Sequence, residues 1–197
     1  MTVANKLTFV RIALIPVFIA LVFIPFPWHM TVATAVFCIA CLTDFLDGYI
    51  ARKTNTVSAL GKFLDPIADK MLCACALIAV AITTPPADDP TPFFICVAVY
   101  TMVILSREIM ISGFRIIAAD KGVVLAADIY GKIKTASQMV ALILLIPITD
   151  FTGLSLLASQ IVYYIGFGLL SFSTVMTVVS GIRYVVLNRA VFKGDEK

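Results

Sequence analysis

Charge is what this chain has least of. Only 14% of its residues are charged, and histidine and tryptophan occur once each. With 61% hydrophobic residues and a mean hydropathy of +1.03, that scarcity excludes an ordinary soluble globule, where about a quarter of residues are charged. A net charge of +3 gives no footprint for nucleic acid. Cys38-x-x-Cys41 has the look of half a zinc or redox site, but no second Cys/His pair completes it. The five cysteines all lie in apolar runs and read as small buried hydrophobes, and His29 reads as an interfacial residue rather than a ligand. Low-complexity tracts, internal repeats and long polar linkers are missing too, so residues 1–197 read as a single membrane domain.

What is present is a set of apolar runs. A spanning helix needs about 20 of them in succession. Six segments qualify: about 7–27, 31–50, 63–84, 92–114, 133–149 and 154–187, the last long enough to continue beyond the bilayer. The expected fold is therefore all-α, a polytopic membrane protein with six transmembrane helices. The first run is too long for the core of a signal peptide, contains Arg11 and lacks a small-residue cleavage site, so it reads as a retained helix. If that helix enters from the N-terminal side, all fifteen Lys and Arg fall on that side or in helix ends facing it. The opposite loops hold only Asp88, Asp89, Asp150 and His29. By the positive-inside rule both termini are cytosolic, and an even number of spans agrees with that.

Against this background four aspartates stand close together: Asp44, Asp47, Asp65 and Asp69. A carboxylate at membrane depth is costly and marks function by default. Asp44, Asp47, Gly48 and Ala51 follow i, i+3, i+4, i+7 and share one helix face; Gly61, Asp65 and Asp69 follow i, i+4, i+8 and share another. The stretch 52–60 can reverse the chain between them. At 1.5 Å per residue, Asp44 and Asp69 then lie roughly 12 Å in from the turn, so the acidic faces meet at one depth. Small residues at Gly48, Ala51 and Gly61 leave room for a ligand or a close helix. Carboxylates gathered there need positive charge. Arg52, Lys62 and Lys70 offset part of it, and hard divalent cations, Mg²⁺ or Mn²⁺, do so better through oxygen ligands. A pair of such ions suits phosphoryl transfer. A merely structural, salt-bridged helix pair is the bland alternative, and it leaves the ordered glycines unexplained.

The spacing Asp44-x2-Asp47-Gly48-x2-Ala51-Arg52-x8-Gly61-x3-Asp65-x3-Asp69 resembles, without departure, the signature of the CDP-alcohol phosphotransferase family. The six-helix pattern extends the resemblance over nearly the whole chain. It implies transfer of a phosphatidyl or related group from a CDP-linked donor to an alcohol, with release of CMP. It implies that Asp44, Asp47, Asp65 and Asp69 are metal ligands and that Asp69 is also the general base. Gly48, Ala51, Arg52 and Gly61 would line the donor pocket, with Ser58 in the adjoining loop. The resemblance also implies a homodimer.

The acceptor is indicated elsewhere. Arg107 and Arg115 lie at i and i+8 near one end of the fourth apolar segment, with Glu108 beside them. Gly131, Lys134, Thr135 and Gln138 share a face at the start of the fifth, and Lys132 is adjacent. Basic side chains facing an acidic centre suit an acceptor that carries its own phosphate; orientation by positive charge alone is the competing account. Asn5-x-Leu7-Thr8-x-x-Arg11, Ser106-Arg107-Glu108-Ile109, Arg115 and Gly131-Lys132-x-Lys134-Thr135 are similar to the bacterial branch of the family that uses sn-glycerol 3-phosphate. That similarity implies CDP-diacylglycerol as donor, with Asn5 and Thr8 near its headgroup, and Arg107, Arg115, Lys132 and Lys134 as acceptor-binding residues. It places the enzyme among membrane lipids in the bacterial cell membrane, its site facing the cytosol. Siblings that use inositol phosphate, phosphatidylglycerol or serine are the nearest alternatives. A divalent-metal transporter is the alternative from a different class, disfavoured because the acids stay near one face of the membrane.

Overall fold

The computed structural model describes the backbone of residues 3–54, 59–83, 90–120, 129–151 and 156–188, and side chains over 7–44, 64, 66–83, 93–118, 129–151 and 157–188. Seven helices account for the described elements: α1 (Val3–Phe23), α2 (His29–Thr54), α3 (Ala59–Thr83), α4 (Pro90–Asp120), α5 (Ile129–Leu145), α6 (Ile148–Phe151) and α7 (Leu156–Leu187). No strand occurs among the described residues.

The helices pack in chain-local pairs and then across the bundle. α1 lies on α2 and α3, α3 on α4, α4 on α7, and α5 and α7 share the most extensive contact. Their common core is apolar, with Phe18, Phe37, Leu72, Val80, Ile104, Leu142 and Leu170 fully enclosed. A separate small cluster of Ile111, Phe114, Ala118 and Tyr184 joins the far ends of α4 and α7. Outward faces are just as apolar: Ile109, Ile116, Leu157 and Ile182 are each more than 60% exposed. In water such a surface would be an aggregation hazard; in lipid it is matched to its solvent.

Each of the six apolar segments expected from the sequence falls mainly on a helix among the described residues, the first ending at Phe23 rather than running on to residue 27. Among the described residues, four helices are long and apolar enough to cross a membrane: Pro66–Thr83, Phe93–Ala118, Ile129–Phe151 and Leu157–Leu187. Leu7–Phe23 and His29–Asp44 are shorter apolar stretches. The side chains of α2 are described as far as Asp44, and the helix itself continues to Thr54.

The end of the bundle opposite the acids is pinned by polar contacts. Asp150 of α6 accepts from both the backbone N–H of Thr31 (2.6 Å) and its hydroxyl (2.8 Å), capping the first turn of α2 from another helix. His29 meets the carbonyl of Leu21 at 3.0 Å, at the end of α1. Between them Trp28 takes φ 66°, a left-handed conformation uncommon for a bulky residue, and its ring meets Phe151 edge-on. The α1–α2 corner is thus fixed by residues some 120 positions away in sequence.

Candidate active site

α1 packs against both α2 and α3, and α2 and α3 also touch each other. Asp44 is the last described side chain of α2 and Asp69 lies one turn past Pro66 in α3. Asp69 sits in the electrostatic field of Asp44, Arg11, Glu108 and Lys70. Asp47, Gly48, Ala51 and Arg52 are in α2, and Gly61 and Asp65 are in α3, but their side chains lie outside the described residues. The same holds for Asn5 in α1, and Ser58 is outside them altogether. Thr8 is buried in the early turns of α1, on the same helix as Arg11.

The cation that meets Asp44 is Arg11, the last residue of the Asn5-x-Leu7-Thr8-x-x-Arg11 pattern. Arg11, fully buried, pairs its Nη1 with Asp44 Oδ1 at 2.9 Å. A buried guanidinium needs a carboxylate partner, and Asp44 remains 43% exposed on its other side. The sequence marks this arginine by its place inside an apolar run and by that pattern, but not by its partner.

Next to Asp69 opens a cavity of about 770 Å³ between α3, α4, α5 and α7. Lys70, Arg107, Arg115 and Lys132 give it positive charge, and Glu108, Ser112, Thr135 and Tyr184 give it hydrogen-bonding groups. Three of the four basic residues predicted for an anionic acceptor therefore share one cavity with Asp69. Several are held in place. Arg107 donates through Nη2 to Ser180 of α7 at 3.0 Å and through Nη1 to Glu108 at 3.2 Å. Arg115 donates from Nε to the Tyr184 hydroxyl at 3.2 Å, with its guanidinium 5.7 Å from the ring centroid. Lys70 bonds Ser112, whose hydroxyl in turn bonds the carbonyl of Glu108.

Lys134, the fourth, is placed differently. It is buried, bonds Glu108 directly, and lines a smaller cavity of about 40 Å³ with Asp69, Cys73 and Gln138 behind the large one. Its charge is met by a carboxylate rather than by the space an acceptor would enter. Lys70, Ser112, Tyr184 and Glu108 join the cavity without having been assigned a binding role from the sequence. Tyr184 in particular comes from the last helix, and no local spacing links it to Arg115. The five cysteines are free thiols, none of them fully exposed.

A cavity with cationic walls, an aspartate at its edge and a second aspartate beyond suits transfer between two phosphate-bearing molecules. Comparison with known proteins gives the same direction. The model of CDP-alcohol phosphatidyltransferase matches residues 1–179. The chain belongs to that family. A relative from Bacillus subtilis (strain 168) is 41% identical over 150 residues, covering 70% of this chain and 72% of the relative. One from Shigella flexneri serotype 5b is 34% identical over 190 residues, 95% of each chain. One from Arabidopsis thaliana is 38% identical over 183 residues, 89% of this chain and 77% of the relative. The first two are named CDP-diacylglycerol–glycerol-3-phosphate 3-phosphatidyltransferase, and the third bears that name with the number 2. The match identifies an enzyme of this family and sets aside a metal transporter.

The described donor set fits a hard divalent cation in kind. Asp44 and Asp69 present carboxylate oxygens from neighbouring helices, and oxygen ligands of this type suit Mg²⁺ or Mn²⁺. Among the described residues no cluster of three such ligands forms; Asp47 and Asp65, the two others on the grid, have side chains outside them.

Proposed function

We propose that this protein transfers the phosphatidyl group of CDP-diacylglycerol to sn-glycerol 3-phosphate, giving phosphatidylglycerophosphate and CMP, for phospholipid biosynthesis. The observation that carries the acceptor is the basic cavity: Arg115, Lys132, Arg107 and Lys70 surround a space that opens onto Asp69. A phosphate in that space would meet guanidinium and ammonium donors, and its carrier's free hydroxyl would reach the carboxylate. The names of the similar proteins agree.

In the reaction the acceptor hydroxyl oxygen attacks the phosphorus that bears diacylglycerol. The bond from that phosphorus to the bridging oxygen breaks, and CMP leaves with the electron pair. Asp69 takes the hydroxyl proton. Asp44, Asp47, Asp65 and Asp69 would hold Mg²⁺ or Mn²⁺, in all a pair of ions. When bound, these polarise the diphosphate and stabilise charge on the leaving group. Gly48, Ala51, Arg52, Gly61 and Ser58 would surround the CDP moiety, and Asn5 and Thr8 its lipid-proximal side. Arg11 holds Asp44 in place for that set.

The chain forms one domain over 1–197 with six spans, the shorter α1 and α2 included. Both termini and the active site face the cytosol, a reading supported by the one-sided distribution of Lys and Arg, and the membrane is that of a bacterial cell, as in the relatives from Bacillus and Shigella. It works as a homodimer among membrane lipids.

The test is an acceptor panel. Purified protein with CDP-diacylglycerol and Mg²⁺ is given glycerol 3-phosphate, inositol phosphate, phosphatidylglycerol or serine separately, and CMP release is followed. Release is expected to be fastest with glycerol 3-phosphate. Equal or faster release with another alcohol would overturn the acceptor.

A further inference from the structure

Glu108 is a carboxylate in a cavity otherwise suited to an anion, and that placement asks for a reason. Its two oxygens are used unequally. Oε1 takes both Arg107 Nη1, at 3.2 Å, and Lys134 Nζ. Oε2 receives no hydrogen bond from any described residue, although Glu108 lines the large cavity and its side chain is 23% exposed. A carboxylate with one oxygen tied to two cations is fixed in orientation. Its second oxygen is then a pure acceptor, repelled by phosphate and suited to a hydroxyl.

Resting on the acceptor reading above, we propose that Glu108 is a specificity-determining residue: Oε2 accepts a hydrogen bond from the acceptor's non-reacting hydroxyl while the basic residues hold its phosphate. The site thereby recognises a phosphorylated diol and not any phosphorylated alcohol. The two cations serve this reading twice, fixing Oε1 and offsetting the repulsion between the carboxylate and an incoming phosphate. A site built to bond a hydroxyl discriminates strongly against an analogue that lacks it, because a buried polar group is then left unpaired.

The experiment compares sn-glycerol 3-phosphate with 3-hydroxypropyl phosphate, which keeps the phosphate and the reacting primary hydroxyl and lacks only the middle one. The ratio of kcat/KM for the two, read by CMP release, is expected to exceed tenfold in the wild type. In the paired variant Glu108→Met/Lys134→Met it should fall below about threefold. Replacing both partners avoids stranding a buried ammonium. Should the pair fail to fold, Glu108→Asp, which withdraws the carboxylate by one methylene, is expected to reduce the ratio at least threefold. A wild type that uses both acceptors equally well overturns the proposal with no variant needed. So does a folded variant that discriminates as the wild type does. If neither acceptor supports CMP release by wild type, the failure lies with the acceptor assignment itself, and the role of Glu108 falls with it.

Discussion

Arg11 of α1 and Asp44 of α2 form an ion pair at 2.9 Å in which the arginine is wholly buried and the aspartate is not. That asymmetry makes the arginine the dependent partner. Arg11→Met removes a charge whose burial is costly and leaves a carboxylate that water can reach on one side. Asp44→Asn takes the charge from the carboxylate that lies 2.9 Å from the buried guanidinium. Breaking a fully buried pair costs about 3–5 kcal/mol, and the exposure of Asp44 brings Arg11→Met down to about 1–2 kcal/mol. Thermal unfolding in detergent should therefore rank wild type above Arg11→Met, and Arg11→Met above Asp44→Asn. A reversed order of the two variants would show that the pair does not anchor Arg11.

Asp69 stands at the edge of the basic cavity and is assigned the proton-accepting role. Asp69→Asn keeps the shape and removes the base, so CMP release should drop by at least a thousandfold while CDP-diacylglycerol still binds. Asp44→Asn should weaken donor and metal together. Stripping divalent ions with a chelator should stop turnover in the wild type, and Mg²⁺ or Mn²⁺ should restore it. Near-normal turnover by Asp69→Asn would show that another group takes the proton.

Arg115 is oriented by Tyr184, through both the hydroxyl and the ring. Charged hydrogen bonds of this kind are worth about 1.5–3 kcal/mol, so Arg115→Ala should raise the KM for glycerol 3-phosphate by roughly 10- to 100-fold with kcat less affected. Tyr184→Phe keeps the ring and removes the hydroxyl. It should raise the same KM by about two- to fivefold, in line with one neutral partner lost. Tyr184→Leu, which removes both, should lie between Tyr184→Phe and Arg115→Ala. A Tyr184→Phe effect on kcat alone would place the tyrosine outside acceptor binding.

The sequence carried the helices well because bilayer thickness imposes a length and an apolar composition that six segments satisfy. Helical periodicity turns the spacing of Asp44, Asp47, Asp65 and Asp69 into faces, and of these four only Asp44 and Asp69 have described side chains. The sequence was weaker wherever a partner came from a distant helix. Arg11 meets Asp44 from 33 positions away, Tyr184 meets Arg115 from 69, and Lys134 meets Glu108 from 26. Periodicity within one helix says which face a side chain takes, never which neighbour it finds. Hence the sequence places Lys134 beside Lys132 and Thr135 without announcing the glutamate it pairs with.

Gly166 of α7 sits against Leu145 within the extensive α5–α7 contact. A Cβ added there would lie 2.8 Å from Leu145 Cγ and 2.9 Å from its Cδ2, too close without movement of a buried leucine. Two positions on, a Cβ at Gly168 would meet nothing within 4 Å. Both substitutions by alanine gain helix propensity, up to about 1 kcal/mol each. Only Gly166→Ala also overpacks the core, at a cost of about 1–3 kcal/mol. Gly168→Ala should thus melt at or above the wild type in detergent, and Gly166→Ala below it. Because the α5–α7 pair also carries Lys132 and Tyr184 into the cavity, Gly166→Ala should raise the KM for glycerol 3-phosphate as well. Equal melting of the two variants would mean that Leu145 yields without cost, and that small residues are not what lets α5 and α7 meet.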